Sequence, residues 1–274
     1  MDDIDRYLQE DLGTAGDITS DSLFTDEIAY AYIVSKEKCV VAGLEEAKNV
    51  FERVGATATL MVNDGDLIEK NTAVAYINGS IRSILRGERL ALNFICRMSG
   101  IASETKRLID ICRTVNPQVI IAATRKTTPG FRKYEKKAVI LGGGDPHRYG
   151  LYDAVMIKDN HIRFIGSVED AIKRVKKKIK NKIIEVEVEN KEDAIAAAKL
   201  DVDVIMLDNF DAKSGRLTAK KIRQINPHIV IEVSGGITPE NIIEYASFAD
   251  RISLGYLTHS IKSKDFSLEI QVPR

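Results

Sequence analysis

From about residue 117 the sequence settles into a strand–loop–helix rhythm that few folds can accommodate. Six short apolar runs read as strands: QVIIAAT, DAVMIK, IIEVEV, VDVIMLD, IVIEVSG and RISLG. Helical stretches follow several of them, among them SVEDAIKRVKKKI, KEDAIAAAKL, TAKKIRQI and PENIIEYA. Strands separated by helices of this length pair in parallel through right-handed crossovers, so the chain is restricted to an α/β barrel or an open α/β sheet. Six strands fall short of a full (β/α)8 barrel. The expectation is an incomplete, about six-stranded parallel β/α barrel.

The earlier part has a different texture. Between about residues 17 and 80, short β-rich runs (IAYAYIV, KCVVAG, TATLMV, TAVAYING) surround one helical stretch, LEEAKNVFERV. Asn-Asp-Gly at 63–65 and Asn-Gly at 78–79 are turn signals. This reads as a small α+β domain with an antiparallel sheet. From about 81 to 114 apolar residues recur at three- and four-residue steps (Leu85, Leu92, Ile95, Met98, Ile101, Leu108, Ile111), which predicts a connecting helix with a break or kink at Gly100. The expected division is 1–107 as the N-terminal domain with its connecting helix, 108–260 as the barrel, and 261–274 returning to the N-terminal domain.

Composition narrows the function classes. The 274 residues carry 40 Lys+Arg against 40 Asp+Glu, with 44% hydrophobic and 29% charged content. Balanced charge gives no reason to expect nucleic acid as a partner. Cys39, Cys96 and Cys112 are widely spaced and form no metal-binding or disulfide pattern. The start, MDDIDRYLQEDLG, lacks the apolar stretch of a signal peptide, and no apolar run approaches the roughly 20 residues of a membrane helix. The expectation is a soluble, cytoplasmic protein with neither a membrane nor a nucleic-acid partner.

Within this neutral chain, cations concentrate between Thr124 and His161. Arg125, Lys126, Arg132, Lys133, Lys136 and Lys137 stand against the single anion Glu135, and His147, Arg148, Lys158 and His161 follow. Cations gathered among turn residues suit a small, highly charged anion. Lys133, Lys136 and Lys137 read instead as a solvated helix face. Arg125, Lys126, Arg148 and Lys158 fit that reading less well, because they sit at strand ends or beside glycine-rich turns; Gly142–Gly144 read as a sharp turn that lets His147 and Arg148 reach the pocket.

In a β/α barrel, chemistry collects at the C-terminal strand ends. In IIEVEVEN, alternation puts Glu185, Glu187 and Glu189 on one face. In a strand covered on both sides such carboxylates must meet cations or metal. Asp208 ends the next strand, so Glu187 and Asp208 could hold Mg2+ through water or bind sugar hydroxyls. IEVSGGITPEN reads as a strand, a glycine pair (Gly235, Gly236) and a helix start, with Thr238 as N-cap and Pro239 at N1. Such a turn presents backbone N–H groups to phosphate. LGYLTHS follows, with Gly255 and His259. No nucleotide-binding P-loop, dinucleotide fingerprint, nucleophile elbow or zinc-protease motif occurs.

The stretch TRKTTPGFRKYEKKAV through GGGDPHRYGLYDAVMIKDNHI closely resembles the quinolinate phosphoribosyltransferase family. The resemblance extends over almost the whole chain, through EDLGTAGDITSD, GERLALNFICRMSGIAS, IEVEVEN, VIMLDNF, EVSGGITPENI and SLGYLTHS. It implies an N-terminal sandwich and an incomplete barrel. It also implies transfer of phosphoribose from phosphoribosyl pyrophosphate (PRPP) to quinolinate, giving nicotinate mononucleotide, pyrophosphate and CO2 in de novo NAD synthesis. The quinolinate carboxylates fall by resemblance to Arg125, His147, Arg148 and Lys158, with Arg89 supplied by a neighbouring subunit of a homodimer or a dimer-based hexamer. PRPP and Mg2+ fall to Lys126, Glu187 and Asp208. Ser234, Gly235, Gly236, Gly255 and His259 match phosphate-binding positions. Lys126, Lys158 and water are all candidates for the final protonation. A related enzyme acting on nicotinate or another ring, and a barrel lyase using Lys126 or Lys158 as a Schiff base, are the competing expectations.

Overall fold

The computed structural model describes residues 2–271. Residues 272–274, the end of the expected C-terminal segment, lie outside that range. The chain forms two compact units. The first comprises the residues up to Glu104, Ile140–Gly142 and the residues from Ile261 on; the second comprises Thr105–Val139 and Gly143–Ser260.

The first unit opens with α1 (Asp3–Leu12) and α2 (Ile18–Leu23), each started by an aspartate (Asp2, Asp17) whose carboxylate accepts amides of the first turn. Then come β1 (Ile28–Ser35), β2 (Cys39–Val40), α3 (Leu44–Arg53), β3 (Thr57–Leu60), β4 (Leu67–Ile68) and β5 (Ala73–Ser80). The turn at residues 63–65 forms, and its Asp64 carboxylate accepts the Leu44 amide at 2.9 Å, capping α3. Asn78-Gly79 is not a turn. Both residues lie inside β5, in register with Tyr30 and Ala29 of β1, because the long β1 ladder continues to Ser80. Alternation on β1 buries Ala31, Ile33 and Ser35, while Tyr30 and Tyr32 meet Tyr76 on the opposite face.

Helix α4 (Ile81–Arg113) begins in this unit, and its last turns, from Thr105, belong to the second. It is helical throughout, so Gly100 neither breaks nor ends it. A β-carbon there would lie 2.5 Å from the Lys262 carbonyl oxygen. The glycine lets another stretch of backbone approach the helix, at the usual cost of glycine within a helix.

The second unit contains β6 (Ile120–Ala123), α5 (Arg132–Leu141), β7 (Val155–Ile157), α6 (Asp159–Ile165), α7 (Val168–Lys178), β8 (Ile184–Val188), α8 (Lys191–Lys199), β9 (Val204–Asp208), α9 (Ala212–Ile225), β10 (Val230–Ser234), α10 (Ile242–Ala246), β11 (Arg251–Leu254) and α11 (Tyr256–His259). The last strand, β12 (Phe266–Gln271), belongs to the first unit and pairs antiparallel with β1. The sheet of the second unit is all parallel, in the order β6-β11-β10-β9-β8-β7. Spatial neighbours are sequence neighbours except where β6 lies beside β11. That is the order of a closed ring cut between β6 and β7, an incomplete barrel. On the cut side, Asp145 exchanges backbone hydrogen bonds with Ile121 and Ala123, occupying part of the free edge of β6.

The two faces of these strands differ sharply. Val186, Val188, Ile205, Leu207, Ile231, Val233, Ile252 and Leu254 point outward and pack with Ala194, Ala197, Ala219 and Ile222 of the covering helices. Their neighbours one step along the strand face the barrel axis: Glu185, Glu187, Met206, Asp208, Glu232, Ser234, Arg251 and Ser253. The helix side supplies the apolar core, and the barrel interior is polar.

Candidate active site

Strand β8 grades its three glutamates by depth. Glu185 is buried, Glu187 retains 11% side-chain exposure and Glu189, past the strand end, is exposed. The mouth of the barrel therefore begins at Glu187. There the Lys158 ammonium, just beyond β7, is ion-paired with Glu187 on the adjacent strand. Asp208 ends β9, and its carboxyl is pushed above the usual range by burial and by the negative charge of Glu187. A carboxylate whose proton affinity is raised by a second carboxylate beside it suits a nearby cation, so the pair fits Mg2+.

The arginines supply the positive charge of the same unit. The buried Arg125 Nε, just past β6, has no hydrogen-bond partner within the protein. Burial and the nearby Arg125 lower the Arg148 pKa. A guanidinium nitrogen with no acceptor from the protein, close to a second arginine, suits an anion with several oxygens.

The loops carrying these arginines are fixed by α5. Arg132 donates from Nε to Thr127 Oγ1 (2.9 Å) and from a terminal nitrogen to the Tyr149 carbonyl (3.0 Å), joining the loop after β6 to the loop that carries Arg148. Thr128 donates from its amide and its hydroxyl to the buried Glu135 carboxylate, both at 3.0 Å. One turn on from Arg132, Lys136 departs from the solvated face expected for it. It has no exposed surface, donates to the Pro146 carbonyl and lies 5.5 Å from the centre of the Tyr149 ring. Burial, reinforced by Arg132, pulls its pKa down to about 8. Lys133 is exposed and Lys137 partly so. The helix turns one lysine inward because the loop carbonyl behind it needs a donor.

His147 lies deeper, with 8% of its side chain exposed. Its Nδ1 accepts the Arg148 amide at 2.8 Å, which places the ring proton on Nε2. Nε2 lies 3.2 Å from Glu185 Oε2 and 3.4 Å from Glu232 Oε2. Burial disfavours a charged ring, while the neighbouring Glu185 and Glu232 carboxylates favour one. A second ring proton would cost the Arg148 amide its acceptor. The geometry therefore favours leaving the extra proton with the carboxylates, where burial raises the pKa of Glu185.

On the far side, Asn209 takes φ 57° and donates its amide to the Ser234 carbonyl at 2.9 Å. Gly235 has φ 82°, and a β-carbon there would lie 2.3 Å from Asn209 Oδ1. Gly236 is left open, with nothing within 4 Å of where its β-carbon would be. The following helix starts later than the TPEN signal implied. Its N-cap is Asn241, and Thr238 and Pro239 lie in the preceding turn, where Asn241 Oδ1 accepts the Thr238 amide at 2.8 Å. Lys126, Gly255 and His259 converge on another part of the rim: a β-carbon at Gly255 would meet Lys126 Cδ at 2.8 Å and the His259 ring at 3.2 Å. The Thr258 hydroxyl holds the Lys126 carbonyl at 2.7 Å. Of the residues singled out from sequence, Arg125, Lys126, His147, Arg148, Lys158, Glu187, Asp208, Ser234, Gly235, Gly236, Gly255 and His259 all belong to this unit, whereas Arg89 is exposed on the part of α4 in the first unit. A cavity of about 380 Å3 also adjoins Glu187, but Asp159, Glu189 and Asp193 make its lining acidic, opposite in character to the arginine side.

Residues 101–269 match the C-terminal domain of quinolinate phosphoribosyl transferase, and residues 17–99 match its N-terminal domain. The chain belongs to the quinolinate phosphoribosyl transferase family. It is 45% identical over 258 residues to the probable nicotinate-nucleotide pyrophosphorylase [carboxylating] of Archaeoglobus fulgidus, covering 93% of this chain and 98% of that protein. With the Bacillus subtilis protein of the same name it shares 40% identity over 272 residues, covering 97% and 92%. The crystal structure of nicotinate-nucleotide pyrophosphorylase from Francisella tularensis superposes with a TM-score of 0.92 at 36% identity, over 98% of this chain and 94% of that one. Human nicotinic acid phosphoribosyltransferase shares the fold, with a TM-score of 0.65 at 12% identity.

Within this quinolinate phosphoribosyl transferase fold, sequence reasoning missed the layer beneath the site: Glu232, Arg251, Ser253, Asp145, Arg132 and Lys136. Glu232 could have been found by parity, since it lies two residues before Ser234 and so faces the same side of β10. Nothing in the sequence distinguishes Lys136 from its lysine neighbours.

Proposed function

We propose that this chain transfers phosphoribose from PRPP to quinolinate with loss of CO2, giving nicotinate mononucleotide and pyrophosphate, a step of NAD biosynthesis. The observation that carries this reading is the unpartnered Arg125 Nε near Arg148, in the same barrel unit as the carboxylates Glu187 and Asp208. One side of the mouth suits a dicarboxylate, and the other suits a cation-bearing polyphosphate ester.

In this reading Arg125 and Arg148 bind the two ring carboxylates, with Lys158 beside them. Ser234, Gly235, Gly236, Gly255 and His259 hold the phosphate groups, and Lys126 faces the pyrophosphate. Glu187 and Asp208 would hold Mg2+, which when bound neutralises charge on the departing pyrophosphate. As the C1–O bond to pyrophosphate breaks, positive charge develops on the ribose, where the two carboxylates stabilise it. The quinolinate nitrogen forms the new bond to C1. The ring, now cationic at nitrogen, accepts the electron pair of the breaking bond to the 2-carboxylate. CO2 leaves, and a proton returns to ring carbon 2 from Lys126, Lys158 or water. Arg89 serves the site of a second copy of the chain, so the working unit is a homo-oligomer. Among the described residues no helix is long and apolar enough to cross a membrane.

Purified protein supplied with quinolinate, PRPP and Mg2+ should release CO2 and nicotinate mononucleotide in equal amounts. Nicotinate mononucleotide made from nicotinate instead, without CO2, would overturn the assignment. The Lys158 ammonium is ion-paired with Glu187 and so is not the free amine a Schiff base requires.

A further inference from the structure

The polar barrel interior contains a closed circuit of contacts that ends on the Arg148 backbone. Glu232, with no exposed surface, accepts hydrogen bonds from the Ser253 hydroxyl and from Arg251 (3.1 Å), and its Oε2 also lies 3.4 Å from His147 Nε2. The other terminal nitrogen of Arg251 reaches the Asp145 carboxylate at 3.5 Å, and Asp145 accepts the His147 amide at 2.6 Å. Glu232 thus holds His147 twice, at the ring directly and at the backbone through Arg251 and Asp145. The remaining ring nitrogen accepts the Arg148 amide.

His147 has φ 54°, a left-handed conformation that a non-glycine residue keeps only where its surroundings over-determine it. Here the surroundings are named: Nδ1 and the amide are hydrogen-bonded, Nε2 lies within ion-pair reach of Glu185 and Glu232 without hydrogen-bond geometry to either, and Lys136 holds the preceding carbonyl. The strained residue turns the chain so that Arg148 points to the mouth. Its guanidinium lies 3.0 Å from Met156 Sδ.

We propose that Glu232 is a positioning residue of the quinolinate site, acting through His147 to set the place of the Arg148 guanidinium. This rests on the function proposed above. His147, Glu185 and Glu232 are close enough to share one cation, their ligand atoms lying within 4.8 Å of one another. Arg251 already supplies the positive charge there, so the cluster is read as an internal brace. Glu185 flanks the ring on the other side but receives neither of the Arg251 and Ser253 contacts that anchor Glu232.

The test uses the full chain with four variants: Glu232→Gln, His147→Gln, the double variant, and Ser253→Ala, which strips one hydrogen bond from the same carboxylate. Glu232→Gln should raise the KM for quinolinate on the order of tenfold and change the KM for PRPP by less than about twofold, because only one substrate depends on Arg148. The double variant should be no worse than His147→Gln alone, since both changes break one unit. Ser253→Ala should move the quinolinate KM in the same direction by less, and it stands as the deciding variant if Glu232→Gln does not fold. Equal shifts for both substrates, an unchanged quinolinate KM, or losses that multiply in the double variant would overturn the proposal. A wild-type chain that does not consume quinolinate would instead overturn the function on which it rests.

Discussion

Lys136 donates its ammonium to the Pro146 carbonyl from a position with no exposed surface. A buried lysine with a pKa near 8 leaves a mark on stability. Below about pH 8 both folded and unfolded chains carry the proton, and the full burial penalty is present. Between about 8 and the ordinary lysine value, the unfolded chain keeps a proton that the folded chain has shed, so stability rises with pH. Measured against Lys136→Met, which lacks this titration, the wild type should gain by up to about 3 kcal/mol between neutral and strongly alkaline pH. Paired denaturant titrations across that range check it. A wild-type–variant difference independent of pH would show that burial does not lower the Lys136 pKa.

Arg148→Ala should weaken quinolinate on the order of 10- to 100-fold, as expected for losing charge-assisted hydrogen bonds to a carboxylate. Its effect on PRPP should be much smaller. Steady-state kinetics with each substrate varied in turn gives the comparison, and equal losses would remove Arg148 from the carboxylate site.

The raised Asp208 carboxyl predicts how Mg2+ stabilises the protein. A carboxyl whose pKa is raised on folding destabilises the folded chain as pH climbs through the raised value, because the folded state must then give up a proton it holds more tightly. A cation bound beside it relieves that burden. Mg2+ should therefore raise the melting temperature of the wild type more at neutral than at mildly acidic pH, and Asp208→Asn should lose most of the effect. A Mg2+ response unchanged in Asp208→Asn would place the ion elsewhere.

Gly235→Ala combines a φ of 82° with a contact of 2.3 Å to Asn209 Oδ1. The strain costs on the order of 1–3 kcal/mol, and Asn209 must give way. Since Asn209 and Gly235 shape the phosphate side, the KM for PRPP should rise while quinolinate binding to the free protein, measured by calorimetry, stays near wild type. A variant impaired equally for both ligands would contradict the separation of the two sides.

Much of this arrangement was readable from residue order. All six barrel strands were visible because an apolar face packed on helices leaves a continuous signature, and Glu187 and Asp208 stood out as charges ending such strands. The breakers misled. Gly100 and Asn78-Gly79 carry the chemistry of interruption, yet tertiary contacts keep α4 and β5 intact through them. Lys136 could not be told from Lys133, because the difference between them is one carbonyl supplied by a distant loop. Glu232 could be read by alternation as an axis-facing acid, but its partners, Ser253, Arg251 and His147, could not, since they come from elsewhere in the chain. Local pattern reports what a residue is, and only the fold reports what faces it.

The charged lining of the barrel has a further effect, on how the sheet finds its alignment during folding. Strands with greasy residues on both faces tolerate a slip, because any neighbour will do. A one-residue slip of β10 would carry Glu232 out among the aliphatic side chains of the helices and bring Val233 to the axis, depriving Arg251 of its Glu232 partner. Each misalignment is penalised by an isolated charge, so the groups that shape the substrate mouth also act as a proofreading code for strand order.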